Sequence, residues 1–172
     1  MKKIIFSMLA SSLIALCFSM NLQAQSSEQN LDQVKLMKQF IGTWTAETGM
    51  DSTVLWEVIP FAKGYETIGH WQVKGETYST FKGIIGFAKQ YELVNMFYLW
   101  PNGNLSRDLG KFMSDKKMTL ERFTADHTHV MTSIEVNLIT PDKHIWIFKQ
   151  RGMKESWDDA NVVEFIFTRV KK

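Results

Sequence analysis

From residue 43 to the end of the chain, apolar and polar positions alternate in short runs rich in Val, Ile, Thr and aromatic residues. Turn-forming groups interrupt them: Ala62-Lys63-Gly64, Lys74-Gly75, Asn102-Gly103, Ser114-Asp115, Asp126-His127 and Pro141-Asp142. A period of two, punctuated in this way, is the signature of strands joined by hairpins. The runs predict ten strands, at 43–49, 53–60, 64–74, 76–88, 91–100, 104–113, 117–125, 128–139, 144–151 and 162–170. Ahead of them Leu31, Val34, Met37 and Phe40-Ile41 recur every three to four positions, the period of a helix that ends near Gly42. Such a short helix does not persist alone in water and must pack on the remainder. Consecutive strands with tight turns make an antiparallel meander, and a long meander removes its exposed edges by closing. The pattern therefore predicts an all-β, up-and-down barrel of about ten strands with a short N-terminal helix.

The first residues read differently. Lys2 and Lys3, an apolar run from Ile4 to Phe18 and then Leu22-Gln23-Ala24 have the layout of a secretory signal peptide, 1–24, cleaved after Ala24. A membrane anchor needs about 20 apolar residues, and Ser19, Asn21 and Gln23 interrupt this one. A lipoprotein anchor through Cys17 is disfavoured because Leu16 stands where a small residue is required. The expected location is secreted or periplasmic, with no membrane span left after cleavage. Residues 25–30, QSSEQN, predict a flexible N-terminus, and 31–172 a single barrel domain. Cleavage removes Cys17, the one cysteine, so burial and no disulfide must hold the mature chain together.

Charge and motifs narrow the function classes. The net charge of +2 resides in Lys2 and Lys3, so the mature chain has equal numbers of basic and acidic side chains. No basic run exceeds the pairs Lys116-Lys117 and Lys171-Lys172, which argues against nucleic acid as a partner. Gly-x-Ser-x-Gly, a phosphate loop and a Cys-His pair are all absent from the sequence. His127 and His129 could chelate a metal as H-x-H, but they fall at a turn with no third ligand close in sequence, and surface histidines are the expectation. His70 shares a strand face with polar residues and should point to solvent. His144, in phase with Trp146 and Phe148, is the one candidate for an inward haem ligand. No cofactor is expected, and an enzyme is less expected than a binding protein.

The stretch QFIGTWTAETG, residues 39–49, marks the change from helix to strand. Gly42 permits a sharp turn and a close approach of another backbone. Trp44 can plug one end of a barrel, and Arg169, in phase with Phe165 and Phe167 on the last strand, can stack across it in a cation–π contact. Together, the helix before Gly42-Thr43-Trp44, the ten strand-like segments and the terminal Phe167-Thr168-Arg169 resemble the calycin group: lipocalins, fatty-acid-binding proteins and lipocalin-like secreted bacterial proteins of unestablished function. The resemblance implies that Gly42, Trp44 and Arg169 close the barrel and play no catalytic part.

A two-residue turn at Asp115-Lys116 would pair Met113 with Met118, Lys111 with Leu120 and Leu109 with Arg122. One face then carries Leu105, Arg107, Leu109, Met113, Met118, Leu120 and Arg122, and the other Ser106, Asp108, Gly110, Thr119 and Glu121. Taking the first as inward directs Arg107 and Arg122 into the barrel, where a guanidinium wants an anion. Inward arginines hold a ligand carboxylate in fatty-acid-binding proteins, and the pair looks like a loose analogue; the alternatives are strand-end arginines reaching solvent or pairing with internal carboxylates. Alternation adds Trp71, Phe81, Ile85, Phe97, Ile134, Val136 and Trp146 to the interior. The first expectation is binding or transport of a small hydrophobic or amphipathic ligand, with an anionic group where it has one, at Arg107, Arg122, Trp71, Phe81, Phe97 and Trp146; a carrier of this kind requires a cavity of about 300 Å³ or more. A second is an envelope or protein-interaction module with Met96, Tyr98 and Trp100 exposed on the outer wall. A third is a barrel-pocket isomerase or hydrolase with inward acid/base groups of shifted pKa. Trp157, in the irregular stretch 152–161, either packs over the wall or guards a mouth.

Overall fold

A computed structural model describes residues 31–49, 51–123 and 129–171; the signal segment, residues 25–30, Cys17 and His127 lie outside them. Ten antiparallel strands close into a barrel: β1 (Gly42–Gly49), β2 (Ser52–Phe61), β3 (Gly64–Val73), β4 (Glu76–Ala88), β5 (Leu93–Leu99), β6 (Leu105–Phe112), β7 (Lys117–Phe123), β8 (Val130–Thr140), β9 (Lys143–Gln150) and β10 (Asn161–Arg169). Each strand pairs with its neighbour in sequence, and β1 pairs with β10 to complete the circle. This is an all-β up-and-down barrel compatible with a calycin-like fold. Among the described residues, no helix is long and apolar enough to cross a membrane.

The helix is shorter than its sequence period suggests. A single turn, α1 (Gln33–Met37), continues as a 3₁₀ turn over Lys38–Phe40. Asp32 caps it by accepting from the Lys35 N–H at 2.9 Å. Gln33 ties it to the barrel, donating through Nε2 to the Phe112 carbonyl (3.1 Å) and accepting the Phe112 N–H at Oε1 (2.7 Å). Met37 and Phe40 are fully buried. Phe40 stacks on Phe112 at 5.9 Å and meets Trp56 and Trp146 at 6.0 and 5.8 Å, so the helix stoppers that end of the barrel.

In a meander, alternate turns share an end. The turns at 61–64, 88–93, 112–117 and 140–143 lie with the helix at the closed end, and those at 49–52, 73–76, 99–105 and 150–161 at the other. At the closed end Trp44 is in register with Arg169. The Trp44 indole N–H donates to the Phe40 carbonyl at 2.7 Å. The Arg169 guanidinium lies 4.1 Å above the Trp44 ring, donates to the carbonyls of Ile41 and Pro141, and pairs with Asp142 at 3.0 Å. Gly42 has φ +130°, and a Cβ there would collide with Arg169 Nη1. Glycine is thus required twice over, by its backbone angle and by the guanidinium beside it.

The β6–β7 connection corrects the expected register. Phe112 pairs with Met118, Gly110 with Leu120 and Asp108 with Arg122, because the chain turns through Met113–Lys116, where the Met113 and Ser114 N–H groups both donate to the Lys117 carbonyl. Relative to a two-residue Asp115-Lys116 turn, β6 is displaced by one position. A one-residue slip exchanges the faces of a strand. Ser106, Asp108, Gly110 and Phe112 therefore face inward, whereas Leu105, Arg107 and Leu109 face outward; β7 keeps its expected face, with Met118, Leu120 and Arg122 inside.

Candidate functional site

Buried side chains pack together toward the closed end of the interior, and a chamber of about 190 Å³ lies in the open half. Its walls come from the open-end segments of the strands: Trp71 (β3), Phe81 (β4), Trp100 (following β5), Phe148 (β9) and Phe165 (β10). Its floor is Trp56, Tyr98, Trp146 and Phe167, and its polar edge is Asp108 with Arg122. The rings support one another edge to face: Trp71 on Phe165 at 5.9 Å, Phe148 on Phe165 at 5.5 Å, Phe81 on Tyr98 at 5.6 Å. Three of the indole N–H groups are satisfied inside the wall. The Trp56 indole N–H donates to Thr67 Oγ1, Trp100 Nε1 to Ser106 Oγ at 3.0 Å, and Trp146 Nε1 to His144 Nδ1 at 2.8 Å.

Phe81 lies back against the wall because Gly69, opposite it on β3, has no side chain. A Cβ at Gly69 would collide with the Phe81 ring at its Cζ. Glycine here sets the size of the chamber, since any larger residue must push Phe81 into the empty space.

Arg122 and Asp108 form a bidentate pair, with Nε donating to Oδ1 at 2.6 Å and Nη2 to Oδ2 at 2.9 Å. The Asp108 side chain is 1 % exposed and that of Arg122 27 %. Burial alone would lower the Arg122 pKa, but the hydrogen bond and the charge of Asp108 outweigh it and leave the pKa raised. Burial, reinforced by the nearby Asp108 charge and partly offset by Arg122, raises Tyr98 well beyond the usual tyrosine range. Its hydroxyl stays protonated and donates to Met96 Sδ at 3.2 Å.

The sequence-predicted residues separate into two groups. Arg122, Trp71, Phe81 and Trp146 line the chamber together. Arg107 and Phe97 do not: both face the outside of the barrel, where the Arg107 guanidinium lies 5.1 Å over the Phe97 ring and Nε donates to Asn95 Oδ1 at 2.7 Å. Phe97 is 38 % exposed. The expected two-arginine carboxylate clamp is therefore corrected to one arginine with its own internal carboxylate. Asp108, Tyr98, Trp100, Phe148 and Phe165 were not among the predicted site residues; alternation outward from Trp146 and Phe167 would have supplied Phe148 and Phe165. Strand β5 is likewise resolved. Met96 and Tyr98 are buried and Trp100 half-buried, all pointing inward, which removes the basis for an interaction patch on those three side chains. The volume is also a correction, because 190 Å³ falls short of the roughly 300 Å³ at which drug-sized pockets begin.

His144 faces inward but lies beneath the chamber floor, fully buried among Trp44 at 4.1 Å, Phe167 at 5.2 Å and Phe40 at 5.9 Å. These rings leave no slot for a haem. Nδ1 accepts the Trp146 N–H, so Nε2 carries the proton of the neutral ring, and it finds no hydrogen-bond partner among the described residues. Burial first, and then the Arg169 charge, push its pKa down to about 3. The folded protein thus keeps His144 neutral, while the unfolded chain protonates it below its ordinary pKa of 6.5. Unfolding takes up a proton throughout the window between those values, so stability falls as the pH drops from 6.5 toward 3 and is unaffected by this group above 6.5. His144→Gln, which keeps an acceptor for Trp146, should flatten the fall by about 1.4 kcal/mol per pH unit in mid-window; urea unfolding of both proteins from pH 7 to 4 measures it. His70, on the outer wall, has Nδ1 3.1 Å from Thr80 Oγ1. Trp157 stacks under Arg151 at 4.4 Å in the loop between β9 and β10. No group of residues able to hold a metal ion occurs among the described residues. No known protein-family model and no curated protein sequence matches this chain.

Proposed function

We propose that this protein is a lipocalin-like member of the calycin group, exported through its N-terminal signal segment, that binds a small hydrophobic or amphipathic molecule outside the cytoplasm. The observation that carries the reading is the aromatic-walled chamber at the open end of the barrel. Its volume sets the ligand's size. A cavity of about 150 Å³ lined by apolar side chains accepts benzene, so 190 Å³ suits a single-ring molecule and not an extended acyl chain. Catalysis would need a group poised to exchange a proton. Tyr98 stays protonated, and His144 stays neutral outside the chamber.

Native mass spectrometry of the purified protein, alone and with added toluene, tests this reading. The expected result is a complex with one small molecule, lost in Gly69→Ala as Phe81 fills the chamber while the barrel's circular dichroism is retained. A Gly69→Ala protein that binds as well as the parent would place the ligand elsewhere, and failure of the parent to bind would remove the reading.

A second reading, interaction through the outer wall, has its own observation. Phe61, Ile84, Phe97, Leu99 and Leu105 are exposed there, with Ile84 beside Phe97 and Leu99 beside Leu105 across neighbouring strands.

A further inference from the structure

We propose that the chamber selects neutral single-ring molecules carrying a hydrogen-bond acceptor, such as an aromatic amide or ketone, over anions and cations of the same size. The inference rests on the binding reading above and assigns the ligand's chemistry. It follows from how Arg122 is held. Its Nε and Nη2 are spent on Asp108, while Nη1 makes no hydrogen bond among the described residues, and the side chain borders the chamber. A guanidinium carries five N–H hydrogens, of which two go to Asp108, and Arg122 stands at the polar edge of a largely aromatic space.

The charge of the site decides which acceptor. Asp108 already neutralises Arg122, so the edge is a strong donor with no net charge. A ligand carboxylate would bring an uncompensated negative charge beside a buried carboxylate in a largely apolar space. An ammonium ligand could gain from the aromatic rings around it, but it would meet the Arg122 guanidinium and offer it nothing to bind. A neutral carbonyl avoids both penalties, and a hydrogen bond from a charged donor to a buried neutral acceptor is among the stronger ones. This replaces the anionic group suggested by two inward arginines with a neutral one, because the second arginine is outside and a carboxylate is inside.

Calorimetric titration of the purified protein at pH 7 with toluene, benzamide, benzoate and benzylammonium tests the inference. Benzamide should bind about tenfold or more tightly than toluene, the effect of one charge-assisted hydrogen bond, and both charged ligands more weakly than benzamide. Tighter binding of benzoate or benzylammonium overturns the inference, as does toluene binding equal to that of benzamide. In the last case the aromatic-chamber reading survives, whereas silence from all four ligands, toluene included, removes that reading too. The double variant Asp108→Leu with Arg122→Leu, its fold checked by circular dichroism, should lose the preference for benzamide over toluene. A preference retained in that variant would show that the amide is read elsewhere.

Discussion

Trp44→Ala should lower the unfolding free energy by about 3–5 kcal/mol, the range for truncating a large aromatic in a core. The ring is 1 % exposed and lies 4.1 Å from the His144 ring and 4.1 Å from the Arg169 guanidinium. Truncation empties that space, takes the donor from the Phe40 carbonyl, and leaves Arg169 without the ring beneath it. Urea unfolding followed by far-ultraviolet circular dichroism would report the loss as a lower midpoint at unchanged slope. Trp44→Phe should recover part of the packing but not the hydrogen bond, and fall between the two. Because Trp44 is not part of the chamber lining, ligand binding measured below the unfolding transition should be retained. A variant with an unchanged midpoint and abolished binding would reverse the assignment and put this tryptophan in the site.

The second large effect is expected at the internal ion pair, and it should be asymmetric. Arg122→Leu strands the Asp108 carboxylate, which is 1 % exposed, and removing one partner of a buried pair costs about 3–5 kcal/mol. Asp108→Leu should cost less, because Arg122 is 27 % exposed at the chamber edge and its guanidinium can turn toward water there. The double substitution replaces both charges by apolar side chains and should recover most of the loss of Arg122→Leu. A double-mutant cycle in urea measures the coupling. Equal costs for the two single variants would mean that Asp108 finds water or another donor when Arg122 is gone.

Much of the barrel was legible because two sequence signals agreed. The period-two runs and their Gly, Asn and Asp turns located all ten strands within a few residues of Gly42–Gly49 through Asn161–Arg169. Strand β6 shows why the site was harder. Its two faces, Leu105-Arg107-Leu109 and Ser106-Asp108-Gly110-Phe112, each mix apolar and polar side chains, so alternation could not choose between them. The choice then rested on the assumed turn, and a connection through Met113–Lys116 in place of a two-residue turn reversed it. Leu105, an apolar residue, ends 74 % exposed, while Asp108, a charged one, ends buried. No local preference predicts that exchange. Its result is that Asp108 stands opposite Arg122, which faces inward on β7. Helix α1 was over-extended for a related reason: Leu31 and Phe40-Ile41 continue the helical period, yet the chain tightens into a 3₁₀ turn from Lys38 and leaves it at Ile41.

The seam between β1 and β10 bears on how the barrel assembles in time. Every other strand pairs with its sequence neighbour and can zip from a nearby turn, but Trp44 and Arg169 meet only after nearly the whole domain has been gathered. The entropy of closing so long a loop is repaid only when the rest of the wall is in place. The seam should therefore form after the rate-limiting barrier, and Trp44→Ala should act mainly by hastening unfolding, with little effect on the refolding rate. The last contact made is then the one that governs how long the native state lasts.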